Sequence, residues 1–476
     1  MMKKKIKDIR TKIIATVGPS CSNSETLQKM VDSGVSCFRV NLSHGTTEQK
    51  VKFFDLINTV RLSTGHRPAI LADLAGPKIR VDNLNTPLEI KKGDRIKISN
   101  ETIGEKIIPV SKNIKFQKVN KGAKILIDDG KINLEVINRI SDATLSCVAV
   151  EDGIIESKKG VNFPGVRLDL PTLTVQDKED LRLALEKGAD WIALSFVRLP
   201  SDFECVRRII KEMGYTTPII AKIEQWEAVE NLNSIIEIFD AVMVARGDLG
   251  VEMPIEKVPL IQNEVVRIAR SLGKPVIIAT QILDSMTTRP IPTRAEVSDI
   301  ANSILDGADA LMVTGETAIG NHPNKVIKVL KKVIKETERS RSSSQNYNES
   351  ENENQIGTSQ AISHAACSVA RDQRINVLVT MTHTGSTARM ASRYRPTAKI
   401  IAMTPFKKTC RQLLIVWGVH PILVQEYMSS DDIPNIVDNE VSNFDLLKEG
   451  EKYVVTGGVP VGVPGTTNYL SVLTKT

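Results

Sequence analysis

Short runs of near-continuous apolar residues recur along the first two thirds of the chain. Each is followed by a polar loop and then by an amphipathic helical stretch. Eight such runs read as strands buried on both faces: KIIATVG from Lys12, CFRVNLS from Cys37, PAILADL from Pro68, WIALSFV from Trp191, PIIAKIE from Pro218, AVMVARG from Ala241, PVIIATQ from Pro275 and ALMVTGE from Ala310. Helical patterns such as SETLQKMVDSG, KEDLRLALEKG, DFECVRRIIKEMG and EVSDIANSILDG lie between them. These end at Gly34, Gly188, Gly214 and Gly307, where a left-handed residue closes a helix. Eight strand–helix alternations predict an α/β fold of the (β/α)8 barrel type; the count alone leaves an open doubly wound sheet as the alternative.

The rhythm breaks once inside this region. LEIKKGDRIKIS, GAKILIDDGKINLEVI and ATLSCVAVE alternate apolar and polar residues with period two around Gly and Asp-Gly turns. That pattern predicts a small antiparallel β-barrel-like cap inserted after the third strand, overhanging the barrel face where active sites form. A second break, RSSSQNYNESENENQIGT, is polar and aperiodic and reads as a linker. Beyond it the strand–helix rhythm returns as a C-terminal α/β domain. The expected division is residues 1–75 and 167–340 for the barrel, 76–166 for the cap, 341–358 for the linker and 359–476 for the C-terminal domain. The lysines of KKKIK read as a solvated end.

Composition narrows the function classes. At 476 residues, 41% hydrophobic and 25% charged, the chain suits several globular domains. A net charge of +7 with 4% aromatic residues gives little support for nucleic-acid binding. No apolar run approaches the roughly 18 residues of a membrane span. Charges interrupt the apolar stretch that a signal peptide would need. Six widely spaced cysteines without a C-x-x-C read as reduced thiols, so a cytoplasmic location is expected, with no membrane partner.

A barrel demands chemically capable residues at the C-terminal ends of its strands. The second strand ends in Arg39, Asn41, Ser43 and His44, and the third in Asp73, with Lys78 and Arg80 at the entry to the cap. The fifth ends in Lys222 and Glu224, the sixth in Arg246, Gly247 and Asp248, the seventh in Thr280 and Gln281, and the eighth in Thr314 and Glu316. Glu224 and Asp248, on adjacent strands, are hard oxygen ligands suited to Mg²⁺. Arg39, Arg80 and Lys222 supply positive charge for a phosphorylated or carboxylated substrate. Arg246 reads as holding the shape of the site. A divalent cation between carboxylates and ringed by cations points to phosphoryl transfer or enolate stabilisation.

Segments carried in order along the chain resemble the pyruvate kinase family: TKIIATVGPS, FRVNLSHG, LADLAGPKIR, KKGVNFPGVRLDLP, AKIEQWEAVE, MVARGDLGVEMP, IIATQILDSM, PTRAEVSDIANSILDGADALMVTGETAIG and GVPVGVPGTTN. The resemblance implies transfer of the phosphoryl group of phosphoenolpyruvate to ADP, giving pyruvate and ATP. It implies that Glu224 and Asp248 are the Mg²⁺ ligands and that Lys222 stabilises the phosphoryl group and the enolate. Arg39 and Arg80 match phosphate- and nucleotide-contacting arginines. Thr280 matches a threonine that helps deliver a proton through water, and Lys159 a cap lysine that reaches ATP. Arg39, Lys222, Gly247, Asp248 and Thr280 are thus the expected substrate contacts; Asn41, His44, Arg80 and Lys159 are the expected nucleotide contacts. A homotetramer is also implied.

Many members hold K⁺ with Asn, Ser and Asp side chains and a Thr carbonyl. Asn41, Ser43 and Asp73 match the side chains, whereas Leu74 stands at the Thr position and Lys78 where many members have Glu. With Val81, this resembles the K⁺-independent branch, in which the Lys78 ammonium takes the place of the monovalent cation. The loop Thr382, Thr384, Gly385, Ser386 and Thr387, opening a helix, lies where the family binds phosphorylated effectors and suits a phosphate; helix capping is its plainer reading. Another Mg²⁺-dependent barrel enzyme of aldolase or mutase type, or a non-catalytic metabolite sensor, are the rivals.

Overall fold

The computed structural model describes residues 9–64, 67–101, 104, 106–111, 114–341, 357–461, 463 and 466–476. The eight apolar runs form the eight strands of a closed parallel barrel: Lys12–Thr16, Val35–Asn41, Ala69–Asp73, Trp191–Leu194, Ile219–Ile223, Ala241–Ala245, Val276–Ala279 and Ala310–Val313. They pair in chain order, and the last pairs with the first, Lys12 opposite Ala310, so the sheet has no edge. This disposes of the open-sheet alternative. Nearly every strand residue is buried, because the lumen covers one face and the helices the other.

Local signals behave as the residue types dictate. Thr46, Thr174 and Thr293 each cap a barrel helix reciprocally with the third residue inside it. Gly34, Gly188, Gly214 and Gly307 all have positive φ just beyond their helices.

Between the third and fourth barrel strands stands the cap. A six-stranded sheet, ordered Val161–Asn162, Lys124–Ile127, Ile132–Ser141, Thr144–Ala149, Arg95–Ser99 and Ile107–Pro109, encloses its own apolar core. Leu88–Ile90 and Gly153–Ile155 form a separate pair. The pairings are antiparallel except one, Arg95–Ser99 beside Ile107–Pro109, which is parallel. The C-terminal sheet runs Val419–Leu423, Lys399–Thr404, Val377–Met381, Lys452–Gly458 and Thr467–Thr474, with only the last pairing antiparallel.

Leu414 and Ile415, from the C-terminal domain, close the lower end of the barrel lumen. The opposite end is thereby left to carry chemistry. The helix Pro323–Arg341 precedes the Ser/Asn-rich run; positions 342–356 of the expected linker, like KKKIK, lie outside the described residues. No described helix is long and apolar enough to cross a membrane.

Candidate active site

Side chains alternate across a strand, so one parity of each barrel strand faces the lumen. Cys37, Leu71, Ala193 and Ile220 belong to the packed lumen. Two residues further along these same faces stand Arg39, Asp73, Ser195 and Lys222, with Glu224 two beyond Lys222. The rim chemistry is therefore the upward continuation of the apolar lumen, and its charges are buried because the barrel wall surrounds them.

These side chains form one connected cluster. Arg39 Nε donates to Asp73 Oδ2 at 2.7 Å. The Lys222 ammonium lies 3.2 Å from Asp73 and 2.8 Å from Glu224, and donates to Ser195 Oγ at 2.7 Å. Ser195 in turn donates to the Leu74 carbonyl at 2.7 Å, and the other Glu224 oxygen accepts the Phe196 N–H at 2.8 Å.

Charge follows from this arrangement. Burial pushes the Asp73 carboxyl up, but Lys222 and Arg39 outweigh it and hold the group below its ordinary range. Burial would neutralise Lys222, yet Asp73 and Glu224 keep its pKa above the usual lysine value. Burial also raises Glu224; Lys222 opposes the rise and the neighbouring Asp248 charge adds to it. Glu224 and Asp248 are hard oxygen donors of the kind that hold a divalent cation together with water and substrate oxygens.

Asp248 and Gly247 open the helix Arg246–Glu252 directly after the sixth strand. The Gly247 N–H donates to Thr280 Oγ1 at 2.9 Å, and Thr280 Oγ1 donates to the Ala279 carbonyl at 2.6 Å. Thr280 and Gln281 have φ of 68° and 54°, an uncommon left-handed pair for residues with side chains. Arg246 holds them there: its guanidinium donates to the Thr280 carbonyl at 2.8 Å and the Gln281 carbonyl at 3.1 Å, and pairs with Asp299 at 2.7 Å. Glu316 is also structural, accepting the N–H groups of Leu283 and Thr314.

Lys78 departs from expectation. Its ammonium pairs with Asp248 at 3.0 Å and lies 6.0 Å from the Phe196 ring centroid, rather than bonding to Asn41, Ser43, Asp73 or Leu74. The physical reason is local balance. Asp73 already carries Arg39 and Lys222, the Leu74 carbonyl is taken by Ser195, and Asn41 Oδ1 accepts the Ser43 N–H at 3.2 Å. Asp248 is the carboxylate with charge to spare.

The expected nucleotide contacts are only partly brought together. His44 stands at the rim with Arg80, Arg39, Lys78 and Lys50 around it; partial burial first, then these cations, lower its pKa. Arg80 donates to the Lys158 carbonyl at 3.0 Å. Lys159 lies on the cap, held at 3.2 Å by both Asp128 and Glu156, and makes no described contact with the rim cluster.

In the C-terminal domain, Thr382 Oγ1 accepts the Gly385 N–H at 2.9 Å, and the Thr387 and Thr467 hydroxyls lie 2.8 Å apart. Gly385, at φ 82°, turns the chain into the helix Ser386–Arg393; a Cβ there would lie 3.0 Å from Leu413 and 3.1 Å from Arg389. Thr384, Ser386 and Tyr427 share a polar pocket with these hydroxyls. Three residues of the facing loop between the strands Lys452–Gly458 and Thr467–Thr474, at 462, 464 and 465, are outside the described set.

Sequence reasoning missed Ser195 and Phe196. The signal for Ser195 was available, since it continues the lumen-facing parity of the fourth strand. Phe196 contributes its backbone N–H at φ 56°, which no residue type announces.

Comparison with known proteins agrees along the chain. Residues 8–327 match the family model for the pyruvate kinase barrel domain, and residues 360–473 that for the pyruvate kinase alpha/beta domain. Pyruvate kinase 2 of Synechocystis sp. is 40% identical over 470 residues, covering 97% of this chain and 79% of that protein. Pyruvate kinase of Clostridium acetobutylicum is 39% identical over 471 residues, covering 97% and 99%. A crystal structure of a pyruvate kinase from Cryptosporidium parvum superposes with a TM-score of 0.89 at 33% identity, covering 98% of this chain and 96% of that one.

Proposed function

The chain belongs to the pyruvate kinase family, and from that premise we propose how its own residues carry out transfer from phosphoenolpyruvate to ADP. The observation that carries the reading is the buried Lys222 ammonium held between Asp73 and Glu224 at the barrel rim, on the face that also bears Asp248 and Thr280. The aldolase- or mutase-type reading and the silent sensor give way to the family match.

Lys222 and Arg39 present fixed positive charge to the phosphoryl group and to the enolate that forms as it leaves. Their partners Asp73 and Ser195 orient them before substrate arrives, so little reorganisation is needed during the reaction. Glu224 and Asp248 would hold Mg²⁺, which when bound neutralises phosphoryl oxygens. Gly247 offers its backbone close to the substrate, and the Thr280 hydroxyl, a poor acid by itself, orients a water relay that delivers the proton to the enolate carbon. Asn41, His44 and Arg80 face the nucleotide from the rim, and Lys159 reaches it from the cap. Closing the cap excludes water from the transfer.

K⁺ is not required in this reading. Asp73, the Leu74 carbonyl and Asn41 Oδ1 at the monovalent-cation position already have partners within the protein, and Lys78 supplies an ammonium beside Asp248. Residues 1–75 and 167–340 form the catalytic domain and 76–166 the cap. Residues 359–476, joined through 341–358, serve as the effector and oligomerisation domain of a cytoplasmic homotetramer. Thr382, Thr384, Gly385, Ser386 and Thr387 bind a phosphorylated effector. The metal assignment is tested by titrating Mn²⁺ into the protein and following the free ion by electron paramagnetic resonance. Glu224→Gln and Asp248→Asn should each weaken binding at least tenfold, and unchanged binding in both would remove them as ligands.

A further inference from the structure

The chain enters the cap through Ile79–Val81 and returns through Lys158–Val161, and these two segments are hydrogen-bonded to each other. Val81 N donates to the Lys159 carbonyl at 2.8 Å, Lys158 N to the Val81 carbonyl at 2.8 Å, and Val161 N to the Ile79 carbonyl at 2.9 Å. The cap thus stands on a two-stranded stem that can move as one body. Both legs of that stem are fastened to the same seven-residue helix, Arg246–Glu252. On the incoming leg, Lys78 pairs with Asp248 near the start of the helix; on the returning leg, Asn162 Nδ2 donates to Glu252 Oε1 at its end, at 2.7 Å.

The two fastenings differ in kind. The Lys78 and Asp248 side chains are 24% and 28% exposed, so their pair is readily exchanged for water or another cation. Asn162 and Glu252 are 8% and 7% exposed, and Gln225 lines a cleft beside them. Breaking that contact would leave a buried carboxylate under-satisfied, which is costly. The cleft, narrow at about 50 Å³ and open to solvent, lies between the cap base and the barrel. The stem is therefore held by an exposed, exchangeable pair on one leg and by a buried anchor on the other.

We infer that the Glu252–Asn162 hydrogen bond is the pivot of the cap, and that Glu252 is a positioning residue for the reaction. It acts through Asn162 and the returning stem strand to set where Lys159, three residues earlier, meets the nucleotide. The same helix carries Asp248 and Gly247 at its other end, so the pivot ties the reach of the cap to the metal-facing carboxylate. This inference rests on the reading that ADP is held between cap and barrel.

The full-length Glu252→Ala, Asn162→Ala and Glu252→Gln variants test it. Steady-state kinetics would be run for both substrates, and hydrogen exchange of the cap measured with and without Mg²⁺ and ADP. Glu252→Ala and Asn162→Ala should raise KM for ADP at least tenfold, leave KM for phosphoenolpyruvate within about twofold, and hasten exchange over residues 158–163. Glu252→Gln, whose amide oxygen still accepts from Asn162, should restore most of the ADP affinity. Equal losses for both substrates, or no rescue by Gln, would make the contact merely structural and overturn the pivot. So would an unchanged KM for ADP in both alanine variants. If ADP fails to slow exchange anywhere in the wild-type cap, the underlying nucleotide reading falls, and the pivot with it; protection in the wild type isolates any failure to the pivot alone.

Discussion

Replacing Lys222 with Met keeps the length and apolar stem of the side chain and deletes the charge. In the folded protein that charge faces Asp73 at 3.2 Å and Glu224 at 2.8 Å, both carboxylates about 1% exposed. Asp73 retains Arg39 and Glu224 retains the Phe196 N–H. Deleting one partner of a buried ion pair costs about 3–5 kcal/mol, and the retained partners favour the lower end. The sign with pH follows. The orphaned carboxylates can take up protons, so the stability gap between variant and wild type should be largest above neutrality and shrink as the solution is acidified.

Turnover should suffer far more. A fixed cation aimed at the transferring phosphoryl group is worth about 10³–10⁵ in kcat. The assay is pyruvate formation at saturating phosphoenolpyruvate, ADP and Mg²⁺, paired with chemical denaturation at pH 6 and pH 8. A kcat within tenfold of wild type in a folded variant would remove Lys222 from charge stabilisation. A stability gap that widens on acidification would refute the electrostatic account of the cluster.

Three further outcomes are expected. Thr280→Ala should slow proton delivery to the enolate by more than it slows phosphoryl transfer, measured by comparing pyruvate tautomerisation with ATP release; equal slowing would argue against the relay. Lys78→Glu should create a K⁺ requirement, read as turnover with and without KCl, and activity indifferent to KCl would leave Lys78 without that role. Burial pushes the Glu252 carboxyl up to about 7, with Glu227 and Asp248 adding and Asn162 and Gln225 opposing. A carboxyl whose folded pKa is raised contributes stability at low pH that is lost as pH climbs to about 7, on the order of 3 kcal/mol at most. Denaturation midpoints of Glu252→Gln at pH 5 and pH 8 should differ by less than those of the wild type.

Much of this fold is legible in the amino-acid order because parallel strands covered on both faces are written as unbroken apolar runs. KIIATVG and ALMVTGE are recognisable as strands even though they close the barrel across some 300 residues. The Gly34 and Gly307 stops are legible for a local reason, the left-handed turn each makes. The rim chemistry can be picked out as polar residues continuing the lumen parity, as in Cys37 to Arg39 and Ile220 to Lys222. Pairing is not legible. Whether Lys78 turns to Asp73 or to Asp248 depends on how much charge each carboxylate already faces, and that balance exists only once Arg39 and Lys222 have converged. The Asn162–Glu252 bond joins residues 90 positions apart, and neither type at either place announces the other. Arg246 could be suspected of shaping the site, but its grip on two left-handed carbonyls needs the backbone.

The account's central claim is that the Lys222–Asp73–Glu224 cluster transfers the phosphoryl group of phosphoenolpyruvate to ADP without help from K⁺. It is tested most directly by measuring pyruvate formation with Mg²⁺ in K⁺-free buffer and again with KCl. Comparable turnover in both buffers is the predicted result. Turnover confined to KCl would contradict the role given to Lys78, and none in either buffer, even with sugar phosphates or AMP added, would contradict the catalytic reading of the rim.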